Sequence, residues 1–151
     1  MKSRRKAIIS RLTKLKPLSL QFSQFKEIAN QFSDRNAIVY DLDPIYKENS
    51  LDDELLHGRS ILIKDNIAVK GWPLSCSSKI LQDYISPYNS TVVNKILESG
   101  GVIVGKTNHD EFAMGSSNEY SVFGPAKHPT KIDRVPGGSS GGSATAIKLK
   151  M

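Results

Sequence analysis

The chain has 151 residues, 38% of them hydrophobic and 24% charged, an ordinary globular composition and enough length for one domain with its own core. Its longest uncharged apolar stretch, Gly100 to Gly105, excludes a membrane-spanning helix, and its single cysteine, Cys76, excludes an internal disulfide. The net charge of +6 does not describe a basic surface: eight Lys and Arg and no acidic residue fall in positions 1–26, leaving 13 basic groups against all 15 acidic ones.

The N-terminal segment is rich in Arg and Lys, contains Ser and lacks acids, a composition that resembles an organellar transit peptide. Ala7, Ile8, Leu12 and Leu15 share roughly one helical face, bordered by Arg4 and Arg11. Residues 1–18 are therefore expected to direct the protein to the mitochondrial matrix; a basic arm touching RNA or an acidic partner is the alternative. Residues 19–151 would form the rest of the chain's fold.

From Leu20 to Phe32, Phe22, Phe25, Ile28, Ala29 and Phe32 recur at helical spacing and predict a core-facing helix. Ala37 to Tyr40 predicts a short strand, and Leu42 to His57, interrupted by Pro44, a loop with a helical turn. Ser60 to Val69 is apolar on both sides of Lys64-Asp65-Asn66, which predicts a buried strand giving way to a polar turn. Ser90 is a suitable N-cap for a helix over Thr91 to Ser99, with Val92, Val93, Ile96 and Leu97 as its apolar face and Gly100-Gly101 as its stop. Val102 to Val104 predicts a short buried strand, Lys106 to Met114 a departure into a loop, and Pro136 to Met151 a Gly/Ser turn leading into a helix.

Gly100 to Thr107 fits the G-x-x-x-x-G-K-[ST] spacing of a P-loop. The context rejects ATP binding there. A capped helix precedes the glycines, and the residues between them form the strand itself, so their amides serve sheet pairing and not phosphate. His57, His109 and His128 have surface-like neighbours and no ligand spacing, so no metal site is expected.

The most informative stretch is Pro136-Gly-Gly-Ser139-Ser140-Gly-Gly-Ser143-Ala144, where four glycines surround adjacent serines. Such a run means close backbone approach or angles forbidden to other residues. A flexible linker would not run straight into an Ala-containing helix start. No G-x-S-x-G elbow is present, and no His is placed to pair with a serine. On its residues alone, Lys64 reads as a structural ion pair to Asp65 or another carboxylate.

Pro136 to Ala144 resembles the hallmark of the amidase-signature enzymes. The resemblance continues through Lys106-Thr107-Asn108, Asp110-Glu111-Phe112-Ala113-Met114-Gly115, Ser90-Thr91-Val92 and Ile63-Lys64-Asp65-Asn66, in the family's order. Within the family, Asp110 to Gly115 looks most like the A (glutaminase) subunit of glutamyl-tRNA(Gln) amidotransferases. The resemblance implies an α/β/α fold with a mixed sheet covered by helices, incomplete in this chain, and strands beyond Met151 pairing with Ile61–Ile63 and Val102–Val104.

The family uses a Ser–cis-Ser–Lys triad. The resemblance places its lysine on Lys64 and its bridging serine on Ser139, after a cis Gly138–Ser139 bond. A desolvated Lys64 would act as base and Ser139 would relay the proton from the nucleophile. Ser140 and Ser143 are expected to be structural and helix-capping groups, and Gly115, Ser116 and Ser117 to line the substrate pocket. The family's nucleophile lies in a second motif, Asp-Thr/Ile-Gly-Gly-Ser, which the sequence does not contain. A truncated chain without glutaminase activity is therefore expected.

The implied activity is glutamine hydrolysis that supplies ammonia to a B subunit, which activates Glu-tRNA(Gln) with ATP and Mg²⁺, together with a further small subunit. This chain itself would hold no cofactor. A stand-alone amidase acting on another amide, or an inactive fragment that binds a partner, are the alternatives.

Overall fold

The structure is a computed structural model that describes residues 18–46, 55–56 and 58–151, with side chains from Phe22 onward. The expected import segment lies outside the described residues except for Leu18, as do His57 and most of the expected loop beyond Tyr46.

Three strands form one mixed sheet: β1 (Ile38–Ile45), β2 (Ser60–Lys64) and β3 (Val102–Thr107). Their order is β1-β3-β2, with β1 antiparallel and β2 parallel to the central β3. Because β2 and β3 are parallel, the chain must cross over between them. It does so through the helix α2 (Thr91–Glu98). The Ser90 hydroxyl accepts from Val93 N at 3.5 Å, and Gly100 takes a left-handed φ of 75° just beyond the helix end. The expected cap and stop are both in place.

Side chains alternate across the pleated strands and divide the core in two. On one face Ile63 and Ile103 pack with Val69, Trp72 and Val93, joined by Ile96 and Leu97 of α2. On the other, Val102 and Val104 pack with Phe25, joined by Leu62 and by Phe22 and Ala29 of the helix α1 (Leu18–Gln31). Helices thus cover both faces, the α/β/α layering that the sequence led us to expect. The third helix, α3 (Gly141–Leu149), also contacts β2 and β3.

Four local expectations are corrected. β1 runs on past Tyr40 to Ile45 and includes Pro44. Proline lacks an N–H but is tolerated here, because β1 is an edge strand whose pairing is irregular between Asp41 and Ile45. β3 does not end at Val104, since a register shift between the Ile61 and Leu62 pairings lets Gly105, Lys106 and Thr107 continue pairing with β2. Val92 is 47% exposed, while its neighbour Val93 is wholly buried, so the apolar face of α2 is narrower than its sequence suggests. Finally, β3 already has a partner on each side, so the strand over Val102–Val104 offers no edge to a further strand.

The false P-loop resolves as its context demanded. Lys106 lies within β3, fully buried, and its Nζ donates to Ile67 O at 2.8 Å. Neither the amine nor the strand amides are available to a phosphate.

Candidate active site

The register of β2 on β3 aims the side chains that matter. Lys64 pairs with Thr107, and Ile63 with Lys106. Neighbours in register share a face, so Lys64 and Thr107 point one way and Lys106 the other. The Thr107 hydroxyl meets Ser143 Oγ at 2.7 Å, which ties α3 to the Lys64 side of the sheet. The start of α3 then brings two adjacent serines over the lysine.

Lys64 Nζ donates to Ser139 Oγ at 2.7 Å and to Ser140 Oγ at 2.9 Å. The two residues singled out from sequence, 75 positions apart, are thus in direct hydrogen-bond contact. Lys64 is partly buried, and desolvation lowers its pKa below the ordinary lysine value, with the Asp110 charge opposing that shift. The ion pair to Asp65 that Lys64 suggested on its residues alone does not form, because Asp65 is paired with Lys106 instead. The Gly138–Ser139 peptide is cis.

Asp65 belongs to a different cluster. Its carboxylate lies 3.5 Å from Lys106 Nζ, both side chains fully excluded from solvent, and accepts from the Ser75 hydroxyl at 2.5 Å. Burial lowers the pKa of Lys106, and Asp65 counters it. This pair fixes the turn immediately after Lys64.

Two glycines show why the Gly/Ser run has its composition. A Cβ on Gly138 would overlap the Asp110 carboxylate and fall 2.6 Å from Ser117 N and 2.7 Å from Ser116 C. A Cβ on Gly142 would fall 2.5 Å from Ala37 O and 2.6 Å from Asn108 N. Real Cβ atoms do not approach backbone so closely. The same packing sets Ser116 and Ser117 beside the peptide that carries Ser139, and Gly115 against the Asp110 carboxylate.

Sequence reasoning placed some residues wrongly and missed others. His109 is fully buried, not surface-like. Its Nδ1–H donates to Asp110 O at 2.6 Å, and burial lowers its pKa, which leaves a neutral ring whose Nε2 has no hydrogen-bond partner among the described residues. Ser140 occupies the N-cap position of α3, but its side chain makes no capping bond and turns to Lys64 instead. Ser143 is structural as expected, through Thr107 and not as a cap.

The buried polar frame around the site was not read from sequence. Asn108 Nδ2 donates to Asn36 O at 3.0 Å and Gly124 O at 2.9 Å, while Asn118 Oδ1 accepts from Gly142 N at 3.0 Å. Glu111 accepts from the Ser78 hydroxyl at 2.6 Å. Asn108 and Glu111 were named only as members of the motifs that carry the family resemblance, with no role read for them, and Asn118 and Ser78 gave no signal.

The amidase family model matches residues 33–151. The A subunit of glutamyl-tRNA(Gln) amidotransferase from Methanococcus maripaludis strain C7 is 47% identical over 124 residues, covering 81% of this chain and 29% of that protein. The protein of the same name from Methanosarcina barkeri is 62% identical over 92 residues, covering 61% of this chain and 19% of that protein. The crystal structure of the glutamyl-tRNA(Gln) amidotransferase A subunit from Thermotoga maritima superposes with a TM-score of 0.77 at 38% identity, covering 92% of this chain and 31% of that one. The chain thus spans less than a third of the length of each of these relatives.

Proposed function

Because this chain belongs to the amidase family, we propose that it supplies the Lys64–Ser139 proton relay of the glutamine-hydrolysing A subunit in a glutamyl-tRNA(Gln) amidotransferase. The observation that carries this reading is the 2.7 Å contact between Lys64 Nζ and Ser139 Oγ. Similarity to relatives bearing that name supports the choice of glutamine.

In the relay, unprotonated Lys64 accepts the proton of Ser139, and Ser139 takes one from the nucleophilic serine of the family's Asp-Thr/Ile-Gly-Gly-Ser motif. That serine attacks the side-chain amide carbon of glutamine. The relayed proton leaves with the amide nitrogen as ammonia, and water then hydrolyses the acyl ester. Ser116 and Ser117, packed beside the Ser139 peptide, and Gly115, packed against the Asp110 carboxylate, would line the glutamine pocket. Ammonia would pass to a B subunit that activates Glu-tRNA(Gln) with ATP and Mg²⁺, with a further small subunit in the complex. Residues 1–18 would serve mitochondrial import, expected to fail in isolated organelles once they are deleted.

The relay requires a neutral amine. Since burial lowers the Lys64 pKa, activity should rise with pH through a midpoint below the ordinary lysine value. The test is a chimera in which residues 58–146 replace the aligned segment of the Thermotoga maritima protein. Glutamine-dependent ammonia release is expected, falling by about 10²–10⁴-fold in Lys64→Ala or Ser139→Ala. Undiminished release in Lys64→Ala would overturn the reading. The 151-residue chain alone should release none. Co-purification of the chain with a B-type subunit would separate this function from that of a free-standing amidase.

A further inference from the structure

The loop after β3 sets a carboxylate behind the peptide that carries Ser139, and the proton relay makes no use of it. Asp110 is fully buried. Its backbone N–H donates to Ser139 O at 3.1 Å. Its carboxylate accepts from Asn118 N at 2.9 Å through Oδ2 and from Tyr120 N at 3.3 Å through Oδ1. Oδ2 also occupies the space that a Cβ on Gly138 would fill, so the anion packs directly against the residue preceding Ser139. Lys64 holds the Ser139 hydroxyl. Among the described residues, no carboxylate lies within ion-pair distance of Lys64.

We propose that Asp110 is a positioning residue for the relay: clamped by the amides of Asn118 and Tyr120, it holds the Ser139 carbonyl through its own N–H and sets a buried carboxylate against Gly138, one residue from the hydroxyl that Lys64 meets. This deepens the relay reading and rests on it. Two backbone donors hold the carboxylate in place, so its charge is fixed and does not swing toward the amine. Among the described residues, it is the one charge that opposes the desolvation of Lys64. The other groups facing this region leave that part to it. His109, on the same loop, is a neutral ring with a lowered pKa. Asp65 is already paired with Lys106.

The experiment follows the Lys64 side-chain resonances by NMR across a pH titration of the 151-residue chain. Asp110→Asn removes the charge and keeps the shape. The Lys64 midpoint is expected to move to lower pH, because the ammonium loses its stabilising anion. A residue that merely braces the loop would alter unfolding and leave that midpoint where it is. The asparagine amide must oppose one of the two backbone N–H groups, so the variant could fail to fold. A second measurement therefore uses the unmutated chain: the Asp110 carboxyl carbon should show an inflection at the Lys64 midpoint, and Lys64→Met should abolish it, since coupling between two sites is reciprocal. An unmoved Lys64 midpoint in folded Asp110→Asn, or no such inflection, overturns the proposal. Ammonia release surviving Lys64→Ala would instead defeat the relay reading and leave the measured coupling standing.

Discussion

Lys64 ends β2, and Lys106 lies one residue before the end of β3, the strand beside it. Both amines have lowered pKa values, and in both the largest cause is burial. They differ in what they meet. Lys106 turns to the face of Ile63, where Asp65 and the Ile67 carbonyl enclose it completely. Lys64 turns to the face of α3 and meets two hydroxyls, with one side open. A paired and sealed ammonium is a structural element. A partly desolvated amine against hydroxyls is equipped to exchange a proton. Strand alternation alone sends two lysines in adjacent register positions to these opposite uses.

The strongest way to break this contrast is Lys106→Met. It strands the Asp65 carboxylate in the core, and unfolding in urea should show a loss of about 3–5 kcal/mol. Adding Asp65→Asn should recover part of that loss. If Lys106→Met is instead harmless, the pair is not the anchor of the Lys64 turn.

Gly142→Ala should come next, at about 1–3 kcal/mol by the same assay, because its Cβ would meet backbone atoms of Ala37 and Asn108 that have little room to yield.

Lys64→Met should behave in the opposite sense to Lys106→Met. The folded-state pKa of Lys64 lies below its unfolded value, so between the two values the unfolded chain binds more protons and stability rises with pH. The cost of holding the ammonium is full below the folded pKa and disappears above the unfolded one. Lys64→Met should therefore gain most relative to the unmutated chain at low pH, and the gain should vanish toward the ordinary lysine range. Urea midpoints measured across pH would check this, and a pH-independent difference would contradict it.

The smallest effect is expected from Thr107→Val. It removes one hydroxyl contact to Ser143 and should cost about 1 kcal/mol. In the chimera it should also lower ammonia release, because it loosens the helix start that carries Ser139 and Ser140.

By itself the amino-acid sequence determined the helix over α1, the cap and stop of α2 and the buried character of β3, each written in local periodicity, a capping residue or an apolar run. The pair Lys64 and Ser139 came from resemblance to a known family, since on its residues alone Lys64 reads as an ion pair, and β2 is only half-buried apart from Ile63. The sequence also ruled out the P-loop, since a capped helix before the glycines is a local fact. Only the tertiary structure decided that β1 continues through Pro44 and that β3 extends to Thr107, because an edge position and a register shift are properties of pairing between distant segments. The same holds for the buried His109, the Ser140 hydroxyl turned to Lys64, the Asp65–Lys106 pair and the Asp110 clamp. A polar side chain carries no mark of its partner in the chain. Whether it is solvated, sealed or reactive depends on which residues, often dozens of positions away, fold against it and exclude water.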